Sequence, residues 1–475
     1  MIRPFLCVLA AVFLIAPLHA ASLDRPRLFV LTDIENEPDD AQSLVRLLVH
    51  SSQYDIEGLV ATTSVWLPER TAPEKIRAIV GTYGLVRDQL AKHEAGFPTA
   101  AALERLIASG PAAFGMTGVG EHADSSGSAA LIAAVDRADH RPLWVTAWGG
   151  TNVLAQALWR VSRARSTAEL ARFVAKLRVY AISDQDDSGP WIRASFPELF
   201  YIVSPGYEEN GGGGYHYATW TGISGDQFHG RFDGADFTLV SNEWLTEHII
   251  EQHGPLGAQY SRWQYLMEGD TPAFLYLFPN GLGMPEQPNA GSWGGRYERY
   301  TPHRQPWHRQ AETRPIWTNA VDEVVGLDGR PHNEIYATIW RWRRAYQHEF
   351  AARMDWTVKE PRDANHPPVA MLAHASELKA RSGESLPLSA KGSTDPDGDT
   401  LSYRWFVYRE AGTYFGDTEL QGAEQRDATL TIAKLQPRGA RTAGEPRTLH
   451  VVVAVTDDGA PSLTRYRRVI VTIAD

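Results

Sequence analysis

Hydrophobic positions in the first two thirds of the chain switch between short unbroken runs and helical spacing. Residues 27–31 (RLFVL), 56–62 (IEGLVAT), 143–147 (LWVTA) and 177–182 (LRVYAI) are mostly apolar, too short for helices, and read as buried strands. Between them, Leu44, Leu47 and Leu48 fit one face of a helix over 41–50, and Ile76, Ile79, Val80 and Tyr83 one face of a helix over 74–90. Segments 129–138 and 153–161 read the same way. Strands alternating with helices predict an α/β fold with a mainly parallel sheet flanked by helices. From 205 to 315 the texture becomes loop-like, with a four-glycine run at 211–214 and frequent Pro, Trp and Tyr. A closing helix is expected over 334–353, then a proline-bounded linker (PRDANHPP, 361–368). Beyond it lie five short β segments, 384–389, 401–408, 428–432, 449–456 and 465–472, separated by turns such as DPDGD and DDGAPS. That pattern suits an all-β, immunoglobulin-like sandwich of about seven strands.

The N-terminus changes the domain reading. Arg3, an apolar run from Phe5 to Leu18, and small residues at Ala20 and Ala21 have the form of a cleaved secretory signal. The expected division is a signal peptide over 1–20, an α/β domain over 24–357, a linker over 358–368 and a sandwich over 369–475. The expected location is secreted or periplasmic, with no membrane attachment after cleavage. The single cysteine, Cys7, falls inside the signal, so the mature chain has neither disulfides nor a thiol nucleophile. Lys and Arg number 46 against 57 Asp and Glu, a net charge of −11, which argues against nucleic acid as a partner. Residues 366–475 hold 13 basic and 14 acidic side chains, so the excess acid sits in the first domain. Fifteen Trp are either core or contacts for flat ligands such as sugars.

The acid is concentrated directly after the first strand. Asp33-Ile34-Glu35-Asn36-Glu37-Pro38-Asp39-Asp40 holds five carboxylates in eight residues. Ligands of open α/β sheets bind at the carboxyl ends of strands. Carboxylates crowded there repel one another unless a cation neutralises them, and oxygen-only donors favour Ca²⁺ over softer metals, with Mg²⁺ second. The alternative is a solvated acidic loop with Asp39 and Asp40 at the favourable N-terminus of a helix. The missing glycine and terminal glutamate argue against an EF-hand.

Leu31-Thr32-Asp33, followed after a turn by Asp39-Asp40-Ala41, resembles the N-terminal signature of the nucleoside hydrolases. Gly58-Leu59-Val60-Ala61-Thr62-Thr63, Trp148-Gly149-Gly150-Thr151-Asn152 and Glu268-Gly269-Asp270-Thr271-Pro272 are similar to later segments of that family, in the same order. The resemblance implies a calcium site held by Asp33, Asp40, Asp270 and the backbone carbonyl of Thr151. It implies a base on the attacking water at Glu35, where the family has Asp, with Glu37 as an alternative to it; Asp39 is the other candidate base. Asn36 and Glu37 are the expected neighbours of the substrate.

Other features depart from the nucleoside enzymes. Ser64-Val65-Trp66-Leu67 stands where a Gly-Asn would hold ribose, Pro190 and Ile192 stand in place of a ribose-binding Glu and Asn, and Gly269 replaces a histidine that protonates the leaving base. The calcium end is kept and the nucleoside end rebuilt. Trp293, Arg296 and Tyr297, in the glycine-framed GSWGGRY loop, suit stacking on a sugar and hydrogen bonding to its hydroxyls, or else loop packing. Asp187 in DQDD is a further candidate at a strand end. His216, His229 and His303 are weak proton-donor candidates. The DPDGD turn (Asp395, Asp397, Asp399) is either a plain acidic turn or a second calcium site. The whole chain resembles the nucleoside-hydrolase-like, cellulose-binding-type secreted proteins. Two functions are consistent with this: a calcium-dependent glycoside hydrolase acting on a carbohydrate or modified nucleoside, and a non-catalytic carbohydrate-binding protein that keeps the metal site.

Overall fold

The computed structural model describes residues 25–205, 217–225, 232–304, 311–433 and 447–474; the expected signal peptide, the four-glycine run, His216 and His229 lie outside them. Eight strands form the main sheet: β1 (Arg27–Thr32), β2 (Asp55–Ala61), β3 (Ile107–Ser109), β4 (Leu143–Ala147), β5 (Leu177–Ser183), β6 (Phe200–Ser204), β7 (Tyr297–Tyr300) and β8 (Ile316–Asn319). Their order is β3-β2-β1-β4-β5-β6-β8-β7, parallel except for β7 against β8.

The unbroken apolar runs follow from burial on both faces. In β1, Leu28 and Val30 join one core while Phe29 and Leu31 join the other. Helices Pro38–Val49 and Pro73–Gly84 cover the first face; Ser126–Asp136 and Asn152–Ala164 cover the second. The helix expected over 74–90 is two, Pro73–Gly84 and Arg87–His93, with the break just after Gly84. The closing helix is likewise divided, into Ala337–Trp340 and Arg343–Asp355. A hairpin, β9 (Asp322–Val325) and β10 (Pro331–Glu334), lies between the sheet and these helices.

Among the described residues, the C-terminal region has seven strands in two sheets. β11 (Glu377–Arg381), β13 (Ser402–Val407), β16 (Arg447–Thr456) and β17 (Thr464–Ala474) form one, in the order β11-β17-β16-β13. β12 (Ser385–Ser389), β15 (Asp427–Ile432) and β14 (Thr418–Gln421) form the other. Alternate residues such as Leu388, Trp405, Leu430, Val451 and Val469 share one core between them. β11 and β14 escape a sequence reading because their inward positions carry few large apolar side chains.

The sandwich is packed firmly onto the α/β domain. Tyr408, Val452 and Tyr466 belong to the same core as Phe278, Trp293 and Trp342. Arg465 pairs with buried Glu349 at 2.8 Å, and Arg468 donates to the carbonyls of Leu282 (2.7 Å) and Ala290 (2.9 Å). The segment read as a linker is ordered by packing: Trp356 Nε1 donates to the Asn365 carbonyl at 2.9 Å, and Asn365 is buried.

Candidate functional site

Because β2, β1, β4 and β5 run parallel and in register, their carboxyl ends lie side by side. That edge brings together Thr62–Ser64, Asp33, Trp148–Thr151 and Asp184–Asp187. The close approach requires glycine at Gly149, where a Cβ would fall 2.6 Å from Asp33 Oδ1, and at Gly150, where it would collide with the Thr63 carbonyl and the Asp186 carboxylate.

Asp39, Asp40 and Asp270 converge there, with one carboxylate oxygen of each within 4.8 Å of the others. Asp40 accepts from the Thr32 hydroxyl and shares a hydrogen bond with Asp33, whose carboxylate also receives the Ser64 hydroxyl. Asp39 accepts from the backbone N–H of Gly269 and from the first turn of helix Pro38–Val49. Burial pushes the Asp33 carboxyl up to about 6, and burial together with the Asp33 charge pushes Asp39 up to about 7. Asp40 and Asp270 are raised well above the usual carboxylate range, by burial first and then by the other carboxylates. The Oδ2 atom of Asp270 is buried without a hydrogen-bond partner among the described residues. Oxygen donors this close, buried and uncompensated, fit a hard divalent cation.

The loop carrying Asp270 is pinned from below. Glu268, fully buried, accepts from Arg46 Nη1 (2.7 Å), Tyr260 OH (2.6 Å) and Thr271 Oγ1 (2.8 Å). Gly269 stands in the place of the histidine expected from the nucleoside hydrolases; Trp220 Cζ3 lies 2.8 Å from the point a Cβ would occupy, so no larger side chain fits without displacing the indole. Thr151 caps helix Asn152–Ala164; its carbonyl accepts from Ala155 N at 2.9 Å and its hydroxyl meets Ser188 Oγ at 2.7 Å.

Other expected residues are placed elsewhere. Glu35 has left-handed backbone (φ 81°) and pairs with Arg70 at 2.9 Å, its side chain 36% exposed. Asn36 closes the same turn through its N–H to the Asp33 carbonyl, and Glu37 caps helix Pro38–Val49 close enough to raise Asp33 and Asp270. Asp187 accepts from Met116 N at 2.8 Å, so it holds the 115–118 turn. His303 is exposed.

The GSWGGRY loop is the main correction. Trp293 is 1% exposed and stacks on Phe278 with centroids 5.1 Å apart, so neither face is open to a sugar. Arg296 is buried in ion pairs with Asp322 (2.6 Å) and Glu298 (2.7 Å). Tyr297 is buried with its hydroxyl against that of Tyr180. The glycines here serve tight interior packing. Two residues at the strand ends carry signals that sequence reading passed over. Asp186 is buried, raised to about 6 by burial, and leaves Oδ2 unpartnered beside Gly150. Trp66, two residues beyond Ser64, has 37% of its surface exposed.

Two family models match the chain: "Cellulose-binding Sde182, nucleoside hydrolase-like domain" over residues 27–297, and "Cellulose-binding protein Sde0182, C-terminal domain" over residues 385–473. A solved structure of a nucleoside hydrolase-related hypothetical protein from Saccharophagus degradans, associated with carbohydrate metabolism, is similar with 34% identity and a TM-score of 0.79. It covers 95% of this chain and 100% of its own. The type III effector XopQ complexed with adenosine diphosphate ribose is a remote match, with 12% identity and a TM-score of 0.31 over 71% of this chain and 95% of its own. The PKD domain of KIAA 1837 is another, with 18% identity and a TM-score of 0.16 over 22% and 86%. A search of curated proteins gives no match. The first model alone spans more than half of the 475 residues and the Saccharophagus structure aligns along nearly all of them, so the chain belongs to the Sde182 family of cellulose-binding, nucleoside hydrolase-like proteins.

Proposed function

We propose that the protein is a secreted, calcium-dependent glycoside hydrolase whose substrate is a carbohydrate or modified glycoside. The observation that carries this reading is the buried convergence of Asp39, Asp40 and Asp270, joined by Asp33, with carboxylates as the largest charges acting on them. Asp33, Asp40, Asp270 and the Thr151 carbonyl would hold the ion. When bound, a hard divalent cation supplies the positive charge that lets these carboxylates ionise together, and Lewis acidity toward a water. Asp39 takes the proton of the attacking water. It is the cluster member that is only partly buried, and a carboxyl raised toward neutrality is matched to that role. The remaining carboxylates stabilise positive charge developing on the sugar ring.

A second reading, carbohydrate binding without hydrolysis, is favoured by one observation: Glu35, at the position of the family's base, is drawn outward to Arg70. The family description and that of the Saccharophagus protein both support a carbohydrate partner. The two readings separate in one experiment. The calcium-loaded full chain is offered a panel of polysaccharides, aryl glycosides and nucleosides, with Asp39→Asn as the control. Hydrolysis prevented by EGTA and by Asp39→Asn, with glycan binding retained in the variant, supports the enzyme. Calcium-dependent binding with no turnover on any member leaves the binding protein.

A further inference from the structure

We propose that the acidic turn of the sandwich, Asp395, Asp397 and Asp399, is a second calcium site, closed by Asn365 and Asp457. The three turn residues each bring a carboxylate oxygen within 4.8 Å of the others. Asp395 Oδ1 accepts the backbone N–H groups of Asp397 (2.8 Å) and Asp399 (3.2 Å), which curls the turn; its Oδ2 is buried and unpartnered. A turn of this kind in solvent is only an acidic turn. The difference here lies in what is packed against it.

Asp457 is 3% exposed and Asn365 7%. Asp457 Oδ1 takes three donors: Asn365 Nδ2 (3.0 Å), Gly459 N (3.1 Å) and Leu463 N (2.9 Å). Its Oδ2 takes none and is buried. The Asn365 amide nitrogen is used on Asp457 and on the Pro461 carbonyl (2.8 Å), which fixes the orientation of the amide and leaves Oδ1 as a buried acceptor without a donor. Asp458 Oδ1 accepts Thr400 N at 2.7 Å, so the 457–459 loop is tied to the end of the acidic turn. His366, the residue after Asn365, donates its backbone N–H to Asp397 Oδ2 at 2.7 Å, so the Asn365–Asp457 pair is tied to the acidic turn from this side as well. Three buried acceptors, Asp395 Oδ2, Asp457 Oδ2 and Asn365 Oδ1, therefore lie at the junction of these tied loops with no donor among the described residues. Water solvates such oxygens fully only when they are exposed, and a cation is the remaining partner that satisfies all three. The donors are all oxygen, which selects Ca²⁺ over a transition metal.

The position gives the ion a task. Among the described residues the basic partner of these carboxylates is His366, whose Nδ1 lies 3.0 Å from Asp397. Its ring packs against both Trp356 and His93 of the α/β domain, with centroids 5.1 Å from each, and those two rings stack on one another. An ion gripping Asn365 and the turn would fasten this junction from the sandwich side, independently of the site at the parallel sheet.

The test uses the full chain stripped with EGTA and titrated with Ca²⁺, ions being counted by native mass spectrometry. Asp395→Asn and Asp399→Asn are each expected to bind one ion fewer than the unsubstituted protein. Asp40→Asn is expected to keep this ion, and to keep a calcium-induced rise in melting temperature that the Asp40→Asn/Asp395→Asn double variant lacks. Asp399 makes no hydrogen bond through its side chain among the described residues, so that variant decides the matter if Asp395→Asn fails to fold. An unchanged ion count in Asp399→Asn, or no bound ion in Asp40→Asn, would overturn the site. Because the readout is a difference of one ion between variants, it stands whether or not the first site binds calcium.

Discussion

Replacing Trp293 with Ala removes an indole that is 1% exposed, stacked on Phe278 at an interplanar angle of 10° and met edge-on by Tyr466 at 6.3 Å. Truncating a buried Trp to Ala costs about 3–5 kcal/mol, the loss of transfer energy plus the cavity left behind. The surroundings favour the upper half of that range. Phe278 is held by the core, Tyr466 sits on the long strand β17, and Gly294 packs against the backbone of Pro272 and Tyr276, so little can collapse inward. The ring also bridges the two domains. The expected result is a large drop in thermal midpoint, with the sandwich and the α/β domain melting separately where the unsubstituted protein melts together. Calorimetry and near-UV circular dichroism report both effects, and carbohydrate affinity per folded molecule is expected to be unchanged. A variant with the original midpoint and a glycan affinity weakened tenfold would return Trp293 to the binding surface and refute the packing argument.

Arg46→Met leaves Glu268 buried and unpaired; it is expected to cost about 3–5 kcal/mol in denaturant unfolding, largely recovered by adding Glu268→Met. Without a cation, Asp39 holds a proton up to about pH 7 that the unfolded chain releases near 3.8, so its contribution to stability falls as pH rises through that window. Melting in EGTA at pH 5 and pH 8 checks this, since Asp39→Asn should flatten the difference and an undiminished slope would contradict it. Glu35→Gln breaks only a half-exposed ion pair and is expected to cost less than about 1 kcal/mol with calcium affinity intact, whereas a calorimetric loss of that affinity would bring Glu35 back to the metal.

The parallel sheet and its acidic edge were legible because both depend on local pattern. Runs such as 143–147 coincide with β4 since a strand buried on both faces is apolar at nearly every position, Thr146 alone excepted here. The order of Asp33, Asp40 and Asp270 along the chain was enough to suggest their meeting, because parallel strands deliver their carboxyl ends to one edge. Trp293, Arg296 and Tyr297 were misread for the opposite reason. Trp, Arg and Tyr among glycines have the same composition in a sugar site and in an interdomain seam. The deciding partners, Phe278, Asp322, Tyr180 and Tyr466, are distant in sequence from most of the loop or belong to another domain. Asp186 was passed over in favour of Asp187 because adjacent carboxylates differ only in direction: one turns inward beside Gly150, the other caps a turn at Met116.

The position of Glu35 bears on where a proton can go in this site. The Asn36 N–H to Asp33 carbonyl bond (3.2 Å) closes a turn that requires left-handed backbone at Glu35, where a residue with a Cβ is strained. A longer side chain at such a position reaches out of the loop, and Arg70 receives it. In the proposed hydrolase the role of base would then fall to a carboxylate whose direction is fixed independently of the loop. Asp39 qualifies because it sits in the first turn of helix Pro38–Val49, where backbone N–H groups and the helix dipole favour its anion. Those terms alone would hold its carboxyl low and make it a poor acceptor. Burial and the Asp33 charge outweigh them and bring it to about 7, so its readiness to take a proton in the proposed reaction would be set by competition between a helix terminus and its acidic neighbours. A cation at Asp40 and Asp270 would shift that balance back toward the anion, coupling ion binding to the availability of the base.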